Sequence, residues 1–482
     1  MRLLRRDDRG LQRARRSLRD GRRTDGSRDP RRHQALLRLA DDPAGLYQRA
    51  VHRRLRHRAR DARERRASAA RPGSAPVAAG TPDAALAGVR VLDCGTFVAA
   101  SHAAKQLADL GAEVVKVEPP AGDGTRARGP FPGGTFDPEA SGLFLYLNAN
   151  KRGITLDLEK PESRPVLDRL VAASDVVLHD VAPDRIAARG LEADRLLELQ
   201  PSLVVTSITP FGLDGPKSGL RAHDLNLWCA GGIAFLNGGG PAAADLPPLK
   251  VYGQQAGFQA GLNASVASLG ALLAAQQSGH GQLVEVSTQE CLVSILELAF
   301  EHYPYMGISP SRLGRKPIQP LDFLQCKDGW IYICCVEEHQ WRTFLELVGS
   351  PEWGEMEIFG DRLQRGTNWD ALEIFLNEIA AEWTVEELYH AAQARRIPFA
   401  PVSTMGDLLA SKHLQARGFF ATVESPRGHA VTVPGAPYRH ARTPWRLRRR
   451  APALGEHTDE VLRHLGYDAS ELERLRASGA IG

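Results

Sequence analysis

From residue 86 onward, short runs of aliphatic and β-branched residues recur, separated by stretches of helical spacing. VRVLD (89–93), EVVKVE (113–118), the run inside LNANKRGITLDLEKPE (147–162), DVVLHDV (175–181), LVVTSI (203–208) and LVEVS (283–287) read as strands. Most are apolar almost throughout, as strands covered on both faces are. Helices are expected at Ala99–Leu110, Ser163–Ala173 and Asp194–Leu199. The first strand, helix and strand occupy about thirty residues, which implies a right-handed crossover between parallel strands. Continued alternation predicts an α/β, doubly wound, Rossmann-like sheet. The turn CGTFVAAS after the first strand lacks G-x-G-x-x-G, so a dinucleotide reading is disfavoured. TPFGLDGP (209–216) ends the last of these strands at a turn, where open α/β sheets bind ligands.

The stretch Asn237–Ser287 organises the rest. A glycine-rich loop ends with Asp245 ahead of Pro247 and Pro248, whose fixed φ stiffens the backbone that carries the carboxylate. A helix follows in which Gly257, Gly261, Ala264, Ser268 and Ala271 recur every three to four positions, making one slim face for close approach. Gly279 and Gly281 then turn the chain into the strand LVEVS.

Beyond this block the pattern changes. A helix is expected over 289–304, and ISPSRLGRKPIQP (308–320) reads as a linker. DFLQCKDGWIYICCV is a hairpin turning at Asp328-Gly329, followed by helices near Gln340–Val348, Asp370–Ala381 and Val385–Arg395 and by Thr404–Leu409. A hairpin with helices predicts a smaller α+β domain. ATVES and AVTVP read as strands in the tail, and Thr458–Leu465 as its closing helix.

Composition divides the chain differently. Up to Arg71 there are 24 Arg, no Lys and 9 acidic residues, whereas the remainder holds 37 basic and 48 acidic residues. The formal charge of +4 therefore hides an acidic body, which is no footprint for nucleic acid. Residues 1–85 read as a basic, solvated, partly disordered extension, with only faint helical spacing at His33–Leu39 and Ala50–Arg65. A nucleic-acid or membrane-binding arm and an organelle transit peptide are the competing readings. The six cysteines have no C-x-x-C spacing, so reduced thiols in a cytoplasmic protein are expected rather than disulfides or a metal site. With no uncharged apolar run of about 18 residues, neither a membrane span nor a secretory signal is expected.

D-x-P-P at 245–248, the small-residue helix and S-G-x-G-Q-x-V-x-V-S at 278–287 together resemble the family III CoA transferases, whose relatives include the α-methylacyl-CoA racemases. VRVLD…LADLGAEVVKVEPP resembles the opening of the same family, and the likeness covers Leu86 to the C-terminus. It implies a large Rossmann-like domain (86–307 and 410–482), a small α+β domain (308–409) and an interlocked homodimer. It also implies an enzyme that moves CoA from an acyl-CoA donor to a small carboxylic acid, with coenzyme A only as substrate and no tightly bound cofactor.

The resemblance places the nucleophile at Asp245, forming first a mixed anhydride and then an aspartyl-CoA thioester. It places CoA contacts at Val98 and Ala99 (where the family has Gln-Ala), at Leu156 and Asp157 beside adenine and ribose, and at Asp180, where the family has Asn. Lys151 and Arg152 are basic enough to hold phosphates as point charge and fork; an exposed basic turn is the alternative. His223-Asp224 resembles the racemase motif, with a helix cap or packed histidine as the plain reading. A racemase needs a second acid/base group, and its position falls on Gly253. A CoA transferase is the expectation; a racemase or isomerase and a non-catalytic acyl-CoA-binding protein are the alternatives. The triplet Gly238-Gly239-Gly240 is the candidate cover for part of the site.

Overall fold

The structure, a computed structural model, describes residues 84–238, 240, 243–314 and 316–482. The expectations for the basic arm, and Gly239 of the glycine triplet, lie outside the described residues.

Six strands form the central sheet: β1 (Arg90–Asp93), β2 (Glu113–Glu118), β3 (Lys151–Thr155), β4 (Val176–His179), β5 (Val204–Thr209) and β6 (Gln282–Ser287). All pair in parallel, in the order β3-β2-β1-β4-β5-β6. The helices that cover or extend it are, in chain order, α1 (Val98–Asp109), α2 (Gly142–Asn148), α3 (Arg164–Ala172), α4 (Ile186–Arg189), α5 (Ala193–Leu199), α6 (Asp224–Ala230), α7 (Gln255–Ser278), α8 (Thr288–Val293) and α9 (Leu298–Met306).

Alternate residues of each strand feed opposite faces, and each face has its own core. Leu92, Val177 and Val205 meet Val166 and Leu170 of α3, Leu196 of α5 and the C-terminal Leu462 and Leu472. Val91, Leu178 and Val204 meet Ala103 and Leu107 of α1 and Ala264 and Leu272 of α7.

The slim face of α7 is what lets α1 approach. A Cβ at Gly261 would lie 2.6 Å from the Ala99 carbonyl oxygen and 2.9 Å from His102 Cβ. At Gly281 the backbone passes so close to Leu203 that a Cβ would overlap its carbonyl oxygen at 1.7 Å. The second glycine of G-x-G-Q is therefore a packing requirement that sets β6 beside β5. Among the described helices, α7 is long and apolar enough to cross a membrane, a property its Ala-rich sequence had not suggested. Its buried positions face α1 and the sheet.

A second sheet is built from β7 (Leu321–Gln325), β8 (Trp330–Cys334) and β9 (Ala400–Pro401), antiparallel, with helices α10 (Glu338–Leu347), α11 (Trp369–Ala380) and α12 (Val385–Ala394). Trp341, Phe344, Phe359, Leu376, Leu388 and Phe399 form its core. The chain then passes through α13 (Lys412–Ala416) and the hairpin of β10 (Phe420–Glu424) and β11 (Ala430–Pro434), and returns to the large sheet as α14 (Thr458–His464) and α15 (Ala469–Ala477).

Two expectations need correction. The single helix over 289–304 is two helices, α8 and α9, because Glu297 takes a left-handed φ of 50° between them. The tail holds a further helix, α15, opened by a reciprocal capping box in which Asp468 Oδ1 accepts from Glu471 N (2.8 Å) and Glu471 Oε2 accepts from Asp468 N (2.8 Å).

Candidate functional site

In this strand order β1 sits between β2 and β4, so the chain leaves its neighbours in opposite directions and a crevice opens at their carboxyl ends. Asp180, the residue after β4, bridges it. Its Oδ1 accepts from Thr96 N (2.6 Å) and Thr96 Oγ1 (2.9 Å), and Oδ2 from Ala100 N (3.4 Å). The N-cap residue of α1, Phe97, caps nothing with its own side chain, so this carboxylate serves the helix from across the switch point. Burial pushes the Asp180 carboxyl above its ordinary range, opposed by the hydrogen bonds from Thr96.

Two cavities flank the bridge. One, of about 590 Å³, is lined by Thr96, Asp180, Arg185, Arg189, Pro210 and His223 among others. The other, of about 350 Å³, is lined by Cys94, Gly95, Thr96, Leu156, Asp157 and Arg189 among others. They share Thr96 and Arg189 and together span the carboxyl ends of five strands, β1 to β5. Glu159, beyond β3, fixes two guanidiniums at this mouth: Arg185 Nη2 at 2.6 Å and Arg189 Nη2 at 2.9 Å. Sequence reading missed this pair. The available signal was two arginines four residues apart after a strand end, a spacing that puts both on one helical face.

Behind the crevice lies a buried charge cluster. Asp93, Lys116, Lys151 and Glu118 are fully buried. Lys116 Nζ donates to Gly95 O (2.6 Å) and Ser101 Oγ (3.0 Å) and pairs with Asp123 (2.7 Å). Burial alone would raise the Asp93 carboxyl, but Lys116 and Lys151 hold it below its ordinary value. Burial, with Asp93 opposing it, brings the Lys151 ammonium down to about 8.

Several expected contacts change meaning here. Leu156, Asp157 and Asp180 do line the crevice. Lys151 does not reach it as a phosphate ligand, nor is it an exposed turn. Its ammonium is spent on Asp93 Oδ2 (2.8 Å), Ser101 O (2.8 Å) and Asn148 Oδ1 (2.9 Å), which use all three donors. Arg152 points to the amino end of the sheet, where it meets Glu460 (3.2 Å) and Glu113 (3.8 Å). Adjacent strand residues face opposite sides, so the two could not act together. Val98 is buried where α1 meets Gly257, and Ala99 is half-buried with its carbonyl oxygen against Gly261.

Asp245 stands on an exposed loop outside both cavities. Arg312 holds that loop by donating to Ala243 O (3.0 Å) and Leu246 O, while Gly240 N donates to Arg312 O (2.8 Å). No hydrogen bond or ion pair from the described residues engages the Asp245 carboxylate. Asp224 is its opposite. It opens α6 with both oxygens engaged, Oδ1 accepting from Ala256 N (2.8 Å) and Oδ2 paired with Lys250 (2.7 Å). Its neighbour His223 lines the larger cavity. Gly253, at φ 89°, has no side chain to serve as an acid or base.

A parallel sheet with a crevice at its switch point is where open α/β folds bind small-molecule ligands. Residues 86–458 match the model of CoA-transferase family III. The chain is 33% identical over 392 residues to the succinyl-CoA:(R)-benzylsuccinate CoA-transferase subunit BbsE of Thauera aromatica, covering 79% of this chain and 94% of that protein. It is 30% identical to the succinyl-CoA–L-malate CoA-transferase alpha subunit of Chloroflexus aurantiacus, over 81% of this chain and 91% of that one. A crystal structure of a CaiB/BaiF family protein from Brucella suis superposes with a TM-score of 0.72 at 30% identity, covering 80% of this chain and all of that one. The chain belongs to CoA-transferase family III and is a CoA transferase.

Proposed function

We propose that the chain transfers CoA from an acyl-CoA to a carboxylic acid, with the CoA nucleotide seated in the crevice at the β1/β4 switch point. The observation that carries this reading is the joining of the two cavities at Thr96 and Arg189, with Leu156, Asp157 and Asp180 on their walls. Arg185 and Arg189, already held together by Glu159, suit phosphate recognition, because guanidinium forks match phosphate oxygens. Backbone carries the contacts at Val98 and Ala99 in this reading.

The acyl group passes through Asp245. Its carboxylate attacks the thioester carbonyl and expels CoA thiolate, leaving a mixed anhydride. The thiolate attacks the aspartyl carbonyl, releasing the donor acid and forming the aspartyl-CoA thioester. The acceptor carboxylate then attacks that carbonyl, giving a second anhydride and free thiolate. Thiolate attack on the acceptor acyl carbon makes the new acyl-CoA and restores Asp245. An exposed, unengaged carboxylate on a Pro-stiffened loop suits a group that must meet two substrates in turn, and Asp224, with both oxygens taken, does not. Gly253 disfavours racemisation.

Both named relatives use succinyl-CoA, so it is the first donor to screen, with dicarboxylates as acceptors. Incubation with succinyl-CoA followed by hydroxylamine should leave a hydroxamate on the peptide holding Asp245, and Asp245→Asn should lose transfer by orders of magnitude. Label on Asp224 instead, or normal turnover in Asp245→Asn, would reject the assignment. A homodimer belongs to the same reading. Val266 and Leu273 on α7 and Leu298, Tyr303 and Tyr305 on α9 are exposed apolar side chains in need of cover. A single-chain mass by light scattering at micromolar concentration would argue against it.

A further inference from the structure

The smaller crevice cavity has two walls that follow different strands. Residues 94–96, the turn after β1, make one; the loop 119–124, after β2, makes the other. The walls meet at Gly124, where a Cβ would stand 3.2 Å from the Thr96 carbonyl oxygen. Each wall is anchored by its own carboxylate. Asp93 Oδ1 accepts from Gly95 N (2.9 Å) on the first, and Glu118 Oε2 accepts from Asp123 N (3.0 Å) on the second. Asp123 in turn opens the short helical turn Gly124–Ala127, its Oδ1 accepting from Thr125 N (2.7 Å). Lys116, on β2, engages both walls at once. Its ammonium donates to Gly95 O (2.6 Å) and to Ser101 Oγ (3.0 Å) in the first turn of α1, and pairs with Asp123 Oδ2 (2.7 Å). Lys116 itself lines neither cavity.

Stability alone is a poor account of this arrangement. Replacing a buried ion pair by apolar groups of similar volume is often neutral, so what the pair contributes is one fixed geometry. Burial alone would lower the Lys116 ammonium, but Asp123 and Asp93 hold it above its ordinary value, so the tether stays charged through the neutral range. Lys116, Asp93, Glu118, Ser101 and Asp123 are all buried within the one chain, and a second copy leaves them unchanged. We propose that Lys116 is a positioning residue for CoA: by tying the turn after β1 to the loop after β2, it sets the width of the nucleotide seat without touching the ligand. This rests on the CoA seat assigned above to the crevice, and it gives the buried charges behind that seat a part in binding.

The test separates seat geometry from folding by removing the ion pair in balance. CoA binding to the full chain is measured by titration calorimetry in wild type, Arg189→Ala, Asp123→Asn and the double variant Lys116→Met/Asp123→Asn. The double variant removes one charge of each sign and should keep its melting temperature within a few degrees of wild type. Its CoA affinity should nevertheless fall at least tenfold. ADP, which has the nucleotide end of CoA without the pantetheine arm, should lose the same factor. In turnover the acyl-CoA KM should rise with the Kd while kcat at saturation stays within about twofold, the signature of lost uniform binding. Asp123→Asn alone keeps an acceptor for Thr125 and turns a donor toward Lys116; it should weaken CoA severalfold, and it gives a result even where the double variant does not fold. Arg189→Ala reports on the seat itself. CoA affinity lowered by Arg189→Ala but untouched in Asp123→Asn or in the folded double variant would overturn the role of Lys116 and leave the seat in place. A fall in kcat at unchanged KM would overturn it as well. CoA affinity indifferent to Arg189→Ala would remove the seat, and the proposal with it.

Discussion

Gly261→Ala adds one methyl group at the tightest point between α1 and α7. The new carbon would stand 2.6 Å from the Ala99 carbonyl oxygen and 2.9 Å from both Cβ and Nδ1 of His102. Two of these contacts are with atoms close to the α1 backbone, so the helix itself must move. Overpacking of this kind costs about 1–3 kcal/mol, against a gain of about 0.5–1 kcal/mol from replacing a helical glycine with alanine. The net expectation is a loss of about 1–2 kcal/mol. Gly270 provides an internal control. It lies on the exposed side of the same helix, and a Cβ there meets nothing within 4 Å. Gly270→Ala should therefore stabilise by about 0.5–1 kcal/mol. Paired thermal melts give opposite signs if the close approach is real. The displacement also reaches function, because Ala99 and Ala100 adjoin the Asp180–Thr96 bridge; the acyl-CoA KM should rise in Gly261→Ala and stay unchanged in Gly270→Ala. Equal stabilisation by the two substitutions would refute the packing argument.

Other outcomes follow from the buried charges and the crevice mouth. Burial lowers His102 and His179 to about 4 from an ordinary 6.5, with the Phe258 carbonyl opposing the shift at His102. The unfolded chain thus takes these protons first; the stability they lend is complete above pH 6.5 and is lost as pH falls toward 4, by about 1.4 kcal/mol per pH unit per group. His179→Leu should flatten the fall in melting temperature between pH 6.5 and 5, and an unchanged slope would remove His179 from the account. Lys151→Met leaves the buried Asp93 short of one counter-charge and should destabilise by about 3–5 kcal/mol in denaturant unfolding, a loss that a phosphate-binding surface lysine would not produce. Glu159→Gln should leave the melting temperature unchanged, since the residue is exposed, yet raise the acyl-CoA KM severalfold by freeing Arg185 and Arg189; an unaltered KM would detach that pair from the substrate.

The sequence alone determined what depends on local rules. Strands apolar on both faces, joined by helices of crossover length, imply a parallel sheet covered on both faces; β1 to β4 fall within those runs, and β5 and β6 each extend one residue beyond theirs. The small-residue spacing from Gly257 to Ala271 foretold a close helix contact, and G-x-G-Q marked a place where backbone meets backbone. The helix α15 is equally marked in the sequence, by its Asp468-x-x-Glu471 capping box. What the tertiary structure decided is where long side chains end. Lys151 and Arg152 are neighbours in sequence, yet the strand sends one into the core against Asp93 and the other to Glu113 and Glu460 at the far edge. Asp180 could not be known as the bridge to Thr96, nor Glu159 as the clamp on Arg185 and Arg189, before the strand order was known. Those pairings join residues 26 to 84 positions apart. Composition and spacing describe neighbours along the chain; a charge finds its partner only when the sheet has brought distant strand ends side by side.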